Sequence, residues 1–296
     1  MAVPWYKWDK TRDPLVIGWR NLKIRQIQVG VGQRLVGSKA EASLKFARQE
    51  EETGEKISKE VARFASFLNA SSNATRSLYA SLAQLGNILR LSKRDIERKR
   101  NIKASMDVVL RLLQKFQNFE KKDFQYEHIL EDQIRVLEKL DLYKGKTQKQ
   151  LVDELKAIAK KRLVFVGLNV GYINKMTSEI TAIAGRIISE VAGKDKLLKT
   201  LKRDTEYVNN LIMQTLRNYV PMIKEEVVEA VKTGDINRIE EAIRLTTRVL
   251  EIIGTERKVE KNFIDNLGYL KTLEERELKF AMEEKELVRR LQKLGP

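Results

Sequence analysis

At 296 residues and 34.3 kDa the chain is long enough for one large domain or two ordinary ones. Apolar residues at 42% can build a core, and Lys and Arg outnumber Asp and Glu to give a formal charge of +16, which favours polyanionic partners. The absence of cysteine excludes disulfides, thiolate zinc sites and cysteine nucleophiles, and with His128 as the lone histidine the familiar nucleophilic triads lack their parts.

The chain begins with an aromatic, basic segment over residues 1–37. All three tryptophans fall here, with Trp5, Tyr6, Trp8 and Trp19 set among Lys7, Arg20, Lys23 and Arg25. Tryptophan settles where one side is apolar and the other wet, so these eight residues are candidate contacts to a membrane or a partner. Nearby basic groups would each add roughly 1 kcal/mol on anionic lipid. Met1 to Lys10 carries charges and tryptophans where a secretory signal needs an apolar core, so no signal is expected. Gly30, Gly32 and Gly37 argue against one uninterrupted helix, and a short amphipathic helix followed by a loosened extended segment is expected.

A second region, residues 38–143, opens at Ser38 as an N-cap with Glu41 three residues on. From Ile57 a strict 4-3 spacing runs through Val61, Phe64, Leu68, Ser71, Thr75, Leu78, Leu82, Leu85, Leu89, Ser92 and Ile96, the pattern of a helical seam. Unbroken phase across 69–73 favours one helix over a turn. The seam resumes at Ile102 to Phe116, then loses its register in Phe119–Phe124, where a break is expected. Lys144-Gly145-Lys146 is expected to end the following helix.

In residues 144–234, Gly193 is expected to stop a helix that begins near Thr147. The apolar run Leu163–Ile173 is about half the length of a membrane span and reads as a buried helix segment. Pro221 is expected to kink the next helix, and Asp235 to cap the one after it. Residues 235–296 balance thirteen basic against thirteen acidic groups, so the positive excess lies upstream.

Two basic clusters stand out on the body: Arg94, Arg98, Lys99, Arg100 and Lys103, then Lys160, Lys161 and Arg162. Either could track nucleic-acid phosphates, with binding that falls steeply with salt, or lie on a lipid surface. His128 has no Glu-x-x-His partner set for a di-metal bundle and reads as an exposed helix residue. Gly30-Val-Gly32 lacks the residues of a phosphate loop. No catalytic, cofactor or metal residue is expected, and an enzyme is not.

The fold expected is all-α: an elongated antiparallel bundle or coiled coil of five to seven helices, without a sheet, able to homo-oligomerise through its seam. Residues 38–296 are compatible with one helical domain. An amphipathic N-terminal segment ahead of long basic helices is similar in outline to membrane-remodelling helical proteins such as the BAR and ESCRT-III/PspA groups. The preferred function is a non-enzymatic, cytoplasmic scaffold peripheral to an anionic membrane. The alternatives are a nucleic-acid-binding helical protein without base specificity and a structural adaptor gripping a protein partner through the head.

Overall fold

The computed structural model describes residues 14–90, 96–162 and 170–294. They form four long helices and one short one: α1 (Pro14–Arg90), α2 (Ile96–Arg162), α3 (Val170–Gln214), α4 (Val220–Thr233) and α5 (Ile236–Lys293). Thr215–Tyr219, between α3 and α4, is a π-helical turn. No strand occurs among the described residues, and the architecture is the expected all-α helical bundle.

The chain forms two compact units, each drawing on the same long helices. Unit 1 comprises Met1–Glu52, Glu138–Lys196 and Lys271–Pro296, and unit 2 comprises Thr53–Leu137 and Leu197–Leu270. In unit 1, Gln33 of α1 donates to the Leu291 carbonyl of α5, and Ser43 accepts from Gln148 of α2. Further along α1, Glu41 meets Lys285 of α5 and Glu50 meets Lys144 of α2, so both run antiparallel to α1. Its cores join Val29, Val36, Leu155, Ile158, Ile173, Ile180 and Leu291, and then Leu44, Ala47 and Ala281. Unit 2 holds the larger core, with Phe64, Leu78, Leu82, Phe116, Ile212, Val227 and Val249, and a second cluster around Ile57, Ile134, Leu201 and Leu270.

The seam read from Ile57 is buried as expected, from Ile57 through Leu85. It also extends upstream through Val36, Ala40, Ser43, Ala47 and Glu50, so α1 continues through Ser38, Gly30, Gly32 and Gly37. Residues 69–73 lie within this helix. The expected break at Phe119–Phe124 is absent, and so are the stops at Lys144-Gly145-Lys146 and Gly193. The reason lies in the seam. Buried positions in α2 run 109, 113, 116, 120, 123, 127, 130, 134, 137, 141, 144, 148, 151, 155 and 158, a 4-3 alternation without a fault. Glu120, Asp123, Glu127, Asp141, Lys144 and Gln148 occupy core positions within it. Polar residues at seam positions look like lost register when only apolar residues are counted. A mid-helix glycine costs about 1 kcal/mol, which burial on both sides readily offsets.

One phase change does occur. Buried residues in α3 step through 205, 208, 212 and 215, then resume at 220, 223, 227 and 230. The five-residue step from Thr215 to Val220 is taken up by the π turn, where the Val220 amide donates to the Thr215 carbonyl. Pro221 follows directly, at a first-turn position of α4 where its missing N–H is tolerated. Gly234, at φ 72°, ends α4 in the left-handed conformation, and the Asp235 side chain accepts from the Asn237 amide to start α5 as expected.

Candidate functional site

Trp19, Arg20 and Lys23 are exposed on the first turns of α1, Arg25 is half-buried, and the Lys23 ammonium sits 4.0 Å from the Trp19 ring centroid. Trp5, Tyr6, Lys7 and Trp8 lie outside the described residues. The start of α1 presents more apolar surface than the tryptophan alone. Ile17, Ile24, Ile27, Val31 and Leu35 are 41–67% exposed. Their spacing of 7, 3, 4 and 4 puts them within about 80° of one another around the helix, opposite the buried Val29 and Val36. The stripe is about 27 Å long at 1.5 Å per residue. Exposed Lys23 and Arg34 lie along one edge of it, and exposed Arg20 falls within its arc.

The same part of unit 1 carries further cations. Ile158 and Ile173 pack in one cluster with Val29, and Ile158 lies against Gly32, which brings exposed Lys160 and half-buried Lys161 near the middle of the stripe; Lys175 is also exposed on α3. The Arg162 side chain lies outside the described residues. So does 163–169, most of the run expected to form a buried helix segment. Of the remainder, Ile173 is buried and Tyr172 is 59% exposed. In the other basic cluster Lys99, Arg100 and Lys103 are exposed on α2 in unit 2, while Arg94 and the Arg98 side chain lie outside the described residues.

Two groups of ionisable residues are buried, and neither stood out in the sequence. In unit 1 the Lys194 ammonium of α3 lies 2.6 Å from Glu277 of α5, 2.7 Å from Asp141 of α2 and 2.9 Å from Glu50 of α1. Lys144 of α2 also pairs with Glu50 and Glu277. It is fully buried, at a position where the sequence predicts a helix end. Burial opposes ionisation of Glu50, but the two ammonium groups outweigh it and hold its carboxyl below the ordinary value. Burial pushes Asp141 up to about 7 and Glu274 up to about 8, with Lys194 acting against it in both cases. Two ammonium charges cannot neutralise four carboxylates, so part of the set carries protons near neutral pH.

Oxygens of Glu50, Asp141 and Glu277 lie within 4.8 Å of one another, a spacing that would suit a metal. The lysine ammonium groups already stand among those oxygens, and all five side chains are at most 6% exposed. The arrangement is a closed ion network that no substrate can reach. One heptad along, Gln148 bridges Ser43 and Glu284 in the same unit.

Unit 2 holds the second group: Glu120, Asp123 and Glu127 on α2 and Glu256 on α5, joined by Ser71 of α1, whose hydroxyl donates to Glu120. Here no lysine or arginine enters. Burial is the main cause lifting Glu120 to about 7 and Asp123 to about 8, and it drives Glu127 and Glu256 well above the carboxylate range, with mutual repulsion adding to it. The spacing 120, 123, 127 continues that of Leu113 and Phe116, and this was the available sequence signal. His128 points away from this group. It is 64% exposed, stacked on Phe124 and 3.7 Å from Glu131.

Comparison with family models, with curated proteins and with solved structures gives no match. Among the described residues no helix is long and apolar enough to cross a membrane.

Proposed function

We propose that this protein is a non-enzymatic helical scaffold that docks on an anionic membrane surface through the start of α1. The observation that carries the reading is the exposed apolar stripe Ile17, Ile24, Ile27, Val31 and Leu35, with Lys23 and Arg34 along one edge and Arg20 within it. Large apolar side chains lined up on a solvent-facing helical stripe cost solubility and mark an interaction surface. A helix with an apolar stripe and flanking cations lies in a headgroup layer, burying the stripe while its lysines and arginines reach the phosphates. Lys160 and Lys161 add positive charge near the middle of the stripe, and the tryptophans ahead of α1 have the chemistry of an interfacial anchor.

Flotation of the full chain with vesicles of phosphatidylcholine alone, or with added phosphatidylserine, tests this. Binding is expected on the anionic vesicles and is lost in Ile24→Asp/Ile27→Asp, which alters exposed positions only and leaves helicity unchanged. Retained binding by that variant rejects the stripe as the docking element. Self-association through the stripe without vesicle binding would replace the membrane with a partner helix, which the same spacing also fits. Salt-sensitive retention of DNA or RNA that depends on Lys99, Arg100 and Lys103, without vesicle binding, would favour the nucleic-acid reading.

A further inference from the structure

Four acidic side chains sit in the core of unit 2, each at most 4% exposed: Glu120, Asp123, Glu127 and Glu256. One oxygen of Glu120, one of Glu127 and both of Asp123 and Glu256 accept no hydrogen bond from a protein donor. A carboxylate only accepts, so four ionised groups buried in one core and near enough to repel one another would be a set of acceptors without donors. Unlike the oxygens of Glu50, Asp141 and Glu277, those of this bank do not converge closely enough to grip one metal ion. A proton on one carboxyl, by contrast, turns it into a donor to the next, which removes the repulsion and supplies the missing hydrogen bond together.

The groups around the bank supply little compensation. From α1 come Ser71, which donates to Glu120, and Thr75, whose hydroxyl is turned to the Ser71 carbonyl. From α2 comes Glu131, engaged by Arg135 at the surface. From α3 come Asp204, with Arg203 beside it, and Thr205, and the π turn adds the buried Thr215. From α5 comes Glu260, whose neighbour Arg257 donates to Asn69. A cavity of about 10 Å³, the room needed by one water, is lined by Glu127, Glu260, Asp204 and Thr205. Asp204 and Glu260 are half-buried and line the same cavity as Glu127.

We propose that unit 2 is a proton-binding module: Glu120, Asp123, Glu127 and Glu256 hold α2 to α5 as hydrogen-bonded carboxylic acids, and loss of their protons loosens that packing. The elevated affinities for protons at all four positions agree with this. The folded state binds protons that the unfolded chain releases at ordinary carboxylate pH. Its stabilisation is therefore fully present below about pH 4 and is lost as pH rises through about 7 to 8. The proposal does not depend on the membrane reading, because the bank and the α1 stripe share no residue.

Amide hydrogen exchange of the full chain, corrected for the intrinsic pH dependence, tests it in peptides covering 115–130 and 250–262. Each proton retained by the folded state changes the opening equilibrium tenfold per pH unit, so protection should fall at least about a hundredfold between about pH 5.5 and pH 8. The isosteric variant Glu120→Gln/Asp123→Asn/Glu127→Gln/Glu256→Gln removes all four titrating carboxyls and should lose most of that pH dependence. Infrared spectroscopy of the unaltered protein should show the carbonyl stretch of protonated acid at about pH 6, with Asp141, Glu274 and Glu284 of unit 1 adding to it, and the band should weaken as protection falls. Protection that ignores pH, the same loss in the variant, or no acid band at about pH 6 would each overturn the proposal; the infrared result needs no variant to fold.

Discussion

Replacing Lys194 by Met keeps the reach of the side chain and removes its charge from the core of unit 1. Three carboxylate oxygens within 2.6–2.9 Å lose one of their two cationic partners, and Lys144 alone then faces Glu50, Asp141, Glu274 and Glu277. Breaking a buried pair by deleting one member costs about 3–5 kcal/mol, because a desolvated charge stays behind. Unfolding entropy of about 2.1 cal/mol/K per residue amounts to about 0.6 kcal/mol/K over this chain, so the melting midpoint should drop by about 5–8 °C. The loss should be smaller in acid. Asp141, already pushed up to about 7, and Glu274, up to about 8, can each take a proton in place of the missing ammonium. Calorimetry of Lys194→Met at about pH 8 and about pH 5.5 measures both effects. The double variant Lys194→Met/Glu277→Gln removes the orphaned charge along with its partner and should recover at least half of the loss. An unchanged midpoint for Lys194→Met at the higher pH, or a double variant less stable than the single, would refute a closed and ionised network.

Two backbone substitutions test the helix continuity. A Cβ at Gly193 meets nothing within 4 Å, so Gly193→Ala should raise stability by up to about 1 kcal/mol in a denaturant titration; a helix stop at that position would give a loss. Gly234 adopts φ 72°, and Gly234→Ala should lower stability by about 1 kcal/mol, read from the same titration.

Helix content was legible in this sequence because nothing opposes it: no proline between Pro14 and Pro221, few glycines, and a 4-3 apolar rhythm from Ile57 onward. The cap at Asp235 was legible for a similar reason, since a short polar side chain after Gly234 acts locally. Where helices continue was not. Glu120, Asp123 and Lys144 stand at seam positions, and a seam position filled by a charge looks like a surface until the neighbouring helices are in place. The tertiary structure alone decided that these charges are buried, that Lys194 meets Glu50 and Glu277 from 144 and 83 residues away, and that Ile24 and Ile27 face solvent. Local propensity sets the conformation of each segment. Which faces meet is set by the burial of surfaces far apart in the chain, and only that burial turns an ordinary carboxyl into a proton-binding one.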